Sequence, residues 1–267
     1  TRGRKNTGFC RHRRNLEMVK VIMHGCNGHM GQVITGLIRE DAGIEIVAGI
    51  DLLAGKNEYP VFPKFSECMV EADVVIDFSS PIVLTEMLAY AVERQVPVVL
   101  CSTGYSKEQL EEIEQASKKV ALLRSANMSL GINVLLKLVQ AAAKVLSTAD
   151  FDMEIVEKHH NQKLDAPSGT ALALADAINS VLNQEYQYQY DRSKERKKRD
   201  KKEIGISAVR GGSIVGEHDV IFAGTDEVIT LQHTAYSKAI FGKGAISAAK
   251  FLAGKPAGLY GMGDVVG

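Results

Sequence analysis

Strands that alternate with amphipathic helices through the first half, and short alternating strands joined by glycine turns through the second, predict an α/β chain of two units. The first is an N-terminal parallel sheet with helices on both faces; the second is a C-terminal α+β domain built on an open mixed sheet, mostly antiparallel. A third observation points to chemistry. Residues 157–171 crowd His159, His160, Lys163, two carboxylates and a Ser-Gly-Thr turn into one short stretch, a poor core and a well-equipped surface loop.

Composition narrows the classes. Lys+Arg and Asp+Glu both number 32, so no global field favours nucleic acid or a membrane surface. No apolar run approaches the ~20 residues of a membrane helix. A chain of 267 residues can bury a core without disulfide staples, and Cys10, Cys26, Cys68 and Cys101 are scattered without a C-x-x-C pair. A reduced, cytoplasmic protein is expected. Residues 1–17, with six basic residues against Glu17 and no periodicity, are expected to be a disordered basic extension upstream of Met18.

The elements follow in order. Residues 19–24 have strand propensity, and Gly25, Cys26, Asn27, Gly28, His29, Met30 and Gly31 open a helix whose apolar stripe is Val33, Ile34, Leu37 and Ile38. Strand, glycine turn, helix is the context of a Rossmann-like dinucleotide site, although G-x-x-G-x-x-G moves the middle glycine of the usual motif. Residues 44–50 form a second strand closed by Asp51, where an acid would hold a ribose hydroxyl pair. Leu52 follows it, and only Lys56 could reach back toward a 2′-phosphate. Strands at 74–78, 96–100 and 120–123 end in Phe78-Ser79-Ser80, Cys101-Ser102-Thr103-Gly104 and Ser125-Ala126-Asn127-Met128-Ser129, all on one edge of the sheet. Helices fall at about 82–93 and 107–118, the second capped by Ser106.

A long apolar helix is expected over 131–146, then an alternating strand, 151–157, that runs into the histidines. Pro167 and Ser168 announce a helix from about Thr170 to Leu182, which places Ser168, Gly169 and Thr170 at an anion-favouring N-terminus. The Tyr186, Tyr188, Tyr190 alternation has no account, and 191–203, with mixed charges, is expected to be a mobile, solvated loop. Strands at 204–209, 216–223 and 227–235 complete the second sheet, whose free face invites a partner chain. A last helix, about 242–253, docks on the first unit. The expected domains are 18–130, completed by 240–267, and 131–239.

These residues resemble the dihydrodipicolinate reductase family, also called 4-hydroxy-tetrahydrodipicolinate reductases. The likeness rests on Glu157-Lys158-His159-His160 with Lys163, Asp165 and Pro167-Ser168-Gly169-Thr170-Ala171, on Ala208-Val209-Arg210-Gly211-Gly212 with Gly216-Glu217-His218, and on Gly258-Leu259-Tyr260. It implies reduction of a cyclic imine dicarboxylate by NADH or NADPH in lysine biosynthesis, with His159 as general acid and Lys163 as proton donor or electrostatic partner. His160, Ser168, Gly169 and Thr170 would bind the substrate carboxylates. Gly25, Cys26, Asn27, Gly28, His29, Met30, Asp51, Cys101, Ser102, Thr103, Ser125, Ala126, Asn127 and Met128 would hold the cofactor. A homotetramer is also implied, with no metal. Two departures stand out: the family's Gly-Thr-Thr-Gly turn is Cys101-Ser102-Thr103-Gly104, and the basic residue after the second-strand acid is Leu52, which favours NADH.

Other readings stay open at this level. A different nicotinamide-dependent reductase would need another lysine or a cysteine nucleophile. A dinucleotide-sensing protein would bind without turnover. A metal site on His159, His160 and Asp165 suffers because adjacent residues of a strand point to opposite faces.

Overall fold

The computed structural model describes residues 18–53, 55, 57–190 and 192–267. The extension 1–17 and Lys56 therefore lie outside the described residues.

Six strands and three helices alternate through the first unit: β1 (Val19–His24), α1 (His29–Arg39), β2 (Ile44–Ile50), β3 (Val61–Phe62), β4 (Val74–Asp77), α2 (Leu84–Arg94), β5 (Val98–Leu100), α3 (Lys107–Ser117) and β6 (Ala121–Arg124). The chain later returns with α6 (Ala239–Leu252), β12 (Gly258–Tyr260) and α7 (Met262–Val265). All pairings are parallel, in the order β12-β6-β5-β4-β1-β2-β3. Val21, Ile22 and Met23 are each fully buried, as a strand covered on both faces requires. One face is closed by Ile34 and Ile38 of α1 with Ala245, Ala249 and Leu252 of α6. The other is closed by Leu84, Met87 and Leu88 of α2 with Ile113 of α3. The strand order reverses at β1, so the crevice outside the ends of β1 and β4 is where a ligand belongs in such a sheet.

The second unit contains α4 (Leu130–Leu146), β7 (Asp152–His159), α5 (Gly169–Ser180), β8 (Gln187–Gln189), β9 (Glu203–Arg210), β10 (Gly216–Ala223) and β11 (Val228–Ala235), with sheet order β11-β10-β7-β9-β8. Met153 and Ile155 of β7, Ile204 and Ile206 of β9 and Phe222 of β10 pack against Leu135 and Val139 of α4 and Leu174 and Ile178 of α5. The opposite face is not covered by these helices.

Several expectations need correction. The sheet is mixed rather than mostly antiparallel: β10 pairs antiparallel with β7 and β11, but β7, β9 and β8 run parallel because α5 carries the chain back across. The stretch Leu130–Ala149 does reach the length and mean hydropathy, 1.4, of a membrane span. Here its Leu135, Val139 and Ala143 face the core of the second unit. The segment expected to be a mobile loop is instead pinned, from residue 192 on. Arg199 donates to Asp152 (2.8 Å), Glu154 (2.9 Å) and the carbonyl of Met153 (3.1 Å), and Arg192 pairs with Glu154 (2.6 Å) and Glu203. Asp152 and Glu154 lie on the face of β7 turned away from the core and Glu203 opens β9, so the mixed charges are partners rather than solvated spacers. The tyrosines gain an account too, since β8 is an edge strand and Tyr188 donates to Asp176 at 2.5 Å.

A Cβ at Gly244 would stand 1.6 Å from the carbonyl oxygen of Met128, whereas one at Gly36, exposed on α1, would meet nothing within 4 Å. Gly244→Ala should therefore lower unfolding free energy in urea by about 1–3 kcal/mol or more. Gly36→Ala should raise it by up to about 1 kcal/mol, the helix preference of alanine over glycine.

Candidate active site

The turn after β1 is built on two glycines that accept no substitute. Gly25 has φ 78°, and a Cβ on it would lie 2.7 Å from the Phe78 carbonyl oxygen; a Cβ on Gly31 would lie 2.3 Å from the Gly25 carbonyl oxygen. Gly31 thus packs on the turn itself. Gly28 caps α1 without a side chain, which leaves the first-turn N–H groups to an outside acceptor. Asp51 closes β2, but its carboxylate accepts from the backbone N–H of Asn27 (2.9 Å) and of Leu53 (3.3 Å), so it also braces the glycine turn. Gly25, Asn27, Gly28, Asp51, Leu52 and Ser79 share the wall of one cavity of about 420 Å³.

Beneath this edge lies a carboxylate the sequence reading passed over. Asp77, 1% exposed, accepts from Ser102 Oγ (2.9 Å) and Ser79 N–H (3.1 Å) and sits 2.9 Å from His24 Nδ1. It ties together the ends of β1, β4 and β5. Cys26, Cys101 and Met128 of the expected cofactor set have buried side chains. Burial, with Asp51 adding to it, pushes the Cys26 thiol up to about 11, and burial beside Asp77 raises Cys101 well above its ordinary range, so neither is a ready nucleophile. His29, Thr103 and Ala126 are exposed; Met30, Ser102, Ser125 and Asn127 are half-buried.

In the second unit β7 alternates strictly, and Glu157 and His159 take the core-facing parity of Met153 and Ile155. His159 Nδ1 lies 2.5 Å from Glu157 Oε2. Arg210, level with His159 on β9, donates to both Glu157 oxygens at 2.8 and 2.7 Å, and the Ser168 N–H adds a fourth bond at 3.0 Å. Burial alone would raise the Glu157 pKa, but the hydrogen bonds from Arg210, His159 and Ser168 outweigh it and hold the group below its usual range. On β10, His218 stands opposite Glu157, stacks edge-on to His159 with centroids 5.2 Å apart, and shares a 3.1 Å hydrogen bond with Ser168 Oγ. Burial, then the neighbouring His159, pushes His218 down to about 4.

Ser168 Oγ caps α5 by accepting from the Ala171 N–H at 3.2 Å. The helix start then faces a cavity of about 450 Å³ lined by His159, His160, Lys163, Ser168, Gly169 and Thr170 on one side. On the other side stand Ser125, Ala126 and Asn127, from the end of β6. Asn127 Nδ2 donates to Thr170 Oγ1 at 3.1 Å, so the two units touch at this cavity. Lys163 pairs with Asp165 at 2.8 Å, and the Asp165 partner is more than half exposed. The structure therefore brings the whole expected substrate set together. It adds Lys238 and Phe241, at the start of α6, and Asn133 of α4, which the sequence reading missed. A lysine just after the last strand of the sheet was the available signal.

Two family models for dihydrodipicolinate reductase match this chain, the N-terminal one over 19–128 and the C-terminal one over 131–266. The chain belongs to the dihydrodipicolinate reductase family. A 4-hydroxy-tetrahydrodipicolinate reductase of Caldanaerobacter subterraneus subsp. tengcongensis is 54% identical across 93% of this chain and 98% of the relative. One from Clostridium tetani is 51% identical across 92% and 96%. The structure of a dipicolinate-bound dihydrodipicolinate reductase from Paenisporosarcina sp. TG-14 superposes with a TM-score of 0.79 at 26% identity, covering 93% of this chain and 99% of that one. The reductase is accordingly an NAD(P)H-dependent oxidoreductase of lysine and diaminopimelate biosynthesis, with a Rossmann-like first unit.

His218 in the folded reductase titrates far below the ordinary 6.5, so the unfolded chain takes up the proton first as pH falls. Its contribution to stability is complete above about pH 6.5 and fades toward pH 4. Between pH 7 and pH 5 the wild type should lose about 2 kcal/mol more unfolding free energy than His218→Gln, read from parallel urea titrations.

Proposed function

We propose that this reductase converts the cyclic imine dicarboxylate 4-hydroxy-tetrahydrodipicolinate, or dihydrodipicolinate, to tetrahydrodipicolinate, with His159 as proton donor and Lys163 as the main countercharge. One observation carries this reading. His159, His160, Lys163 and the start of α5 converge on a single cavity whose far wall is a strand-end turn of the nucleotide unit. The dipicolinate carried by the superposed reductase is a ring dicarboxylate of the same kind, which supports the choice of substrate.

The glycine turn fits a dinucleotide, since a Cβ at Gly25 or Gly31 would fill the backbone cradle and α1 begins without a side-chain cap. A reduced nicotinamide bound there supplies the hydride. Gly25, Cys26, Asn27, Gly28, His29 and Met30 would cradle the pyrophosphate, with Asp51 at a ribose. Cys101, Ser102, Thr103, Ser125, Ala126, Asn127 and Met128 would edge the nicotinamide half, with Cys26, Cys101 and Met128 contributing backbone only because their side chains are buried. Leu52 and Leu53, 84% and 74% exposed beside Asp51, offer no charge to a 2′-phosphate, which favours NADH.

One substrate carboxylate would lie on the Gly169 and Thr170 N–H groups, where the helix dipole favours an anion, with His160 beside it. The Lys163–Asp165 pair is exposed on the acid side and correspondingly weak, so the ammonium can turn to a substrate carboxylate. Lys238 adds a second cation on the opposite wall. The 4-hydroxy compound loses its hydroxyl group as water to give the conjugated imine; hydride addition to that imine leaves an enamine, whose carbon the His159 imidazolium can protonate. Lys163 offsets the negative charge that builds during reduction.

The three described cysteines are free and buried, consistent with a reducing cytoplasm. The face of the second sheet turned away from α4 and α5, which carries Val156, Val209 and Ile221 by strand parity, is assigned to self-association into a homo-oligomer.

His159→Ala and Lys163→Ala should each cut turnover about 10²-fold or more while NADH affinity, read by fluorescence titration, barely moves. Asp51→Ala should do the reverse, and equal loss of cofactor binding in the first two variants would refute their assignment. With the cyclic dicarboxylate generated in situ, absorbance at fixed enzyme should fall faster with NADH than with NADPH; the opposite order removes the preference read from Leu52.

A further inference from the structure

We infer that Glu157 is a positioning residue for the reduction, fixing the tautomer and orientation of His159 and, through the same carboxylate, the anion-binding start of α5. The inference rests on His159 being the proton donor. Glu157 has no exposed surface, yet its two oxygens receive His159 Nδ1, the Ser168 N–H and both terminal nitrogens of Arg210. Arg210 and the Ser168 N–H can only donate, so the carboxylate is an acceptor on both oxygens and His159 Nδ1 must bring the hydrogen. The other ring nitrogen, Nε2, is then the one left to exchange a proton.

The surroundings keep Nε2 accessible. A Cβ on Gly216 would lie 3.1 Å from it, so the glycine of β10 leaves that side of the ring open. His218 blocks rotation of the ring by its edge-on contact at 5.2 Å. The spacing is a consequence of the strand: residues two apart share a face, so an acid two positions before the histidine lies under it. Ser168 N–H is held by the same carboxylate that holds the imidazole. The acid and the carboxylate-binding helix start are thus referenced to one buried group.

The charged and titratable groups around the ring set the direction of the pH effect. Arg210 of β9 and the Lys163 of the following loop disfavour a protonated imidazole, Asp165 offsets Lys163, His160 is adjacent in the chain, and His218 of β10 is neutral near pH 7. Among the described residues Glu157 is the one carboxylate paired with the ring. Its neutralisation leaves Arg210 uncompensated and should move loss of the acid form to lower pH.

Glu157→Gln keeps the shape and removes the charge. Expected are a kcat reduced about 10-fold or more, an alkaline limb of kcat/KM moved down by about one pH unit or more, weaker inhibition by dipicolinate, and an unchanged Kd for NADH. Glu157→Asp, which keeps the charge, should restore the limb. A folded Glu157→Gln with reduced kcat but an unmoved limb, or with wild-type kcat, would overturn the inference. A measurement on the wild-type protein guards against a variant that fails to fold: ¹⁵N-edited spectra of the histidine rings, with His159 assigned from the His159→Ala spectrum, should show hydrogen on Nδ1 at pH 8. An Nε2–H tautomer would equally overturn it. If His159→Ala turns over at the wild-type rate, the proton-donor reading fails, and that result is separate from the Glu157 outcomes.

Discussion

The ion pair of Glu157 and Arg210 sets the terms for the second unit. Removing a carboxylate from water costs several kcal/mol, and losing one partner of a buried pair typically costs about 3–5 kcal/mol, so the acid and the guanidinium have to arrive together. That requirement is met by strand register. β9 runs parallel to β7 with Arg210 level with His159, and β10 sets His218 against Glu157 from the other side. Arg210 also donates to the Asp165 carbonyl at 2.6 Å, so the loop carrying Lys163 is held by the same side chain. The site is therefore supported by the sheet rather than by the loop alone.

The first unit meets the same problem with another buried acid. Asp77 gathers His24, Ser79 and Ser102 at the ends of three strands, and Asp51 braces the glycine turn through Asn27. Both carboxylates lie at the edge where a parallel sheet exposes unpaired backbone groups and where its ligands bind. Between the two units stands the Asn127–Thr170 hydrogen bond. Lys137 of α4 also donates to the Gly263 carbonyl at 2.8 Å, and α6 brings Lys238 and Phe241 to the cavity before packing against α1. The walls of this cavity thus come from both units, between residues 125 and 241.

Much of this was legible beforehand. Strands covered on both faces leave continuous apolar runs, and those at 19–24, 44–50 and 74–77 appear where expected. Ser106 and Ser168 cap α3 and α5 through side-chain bonds three residues long, a purely local signal. Strands of two or three residues, β3, β8 and β12, carry too little periodicity to be seen. The arginines of 192–199 looked like solvated charge because their partners, Asp152 and Glu154, lie some 40 positions away.

The sequence by itself determined the two units, the glycine turn, the capped helix start and the histidine–lysine run, because each depends on periodicity or on neighbours within a few residues. Even the burial of Glu157 was implicit in the parity it shares with Met153 and Ile155. Only the tertiary structure decided what meets that acid. Arg210 lies 53 residues away along the chain, and Ser168 and His218 are 50 residues apart. Such pairs depend on register and strand direction, which are set by the apolar faces that pack together and not by any local pattern.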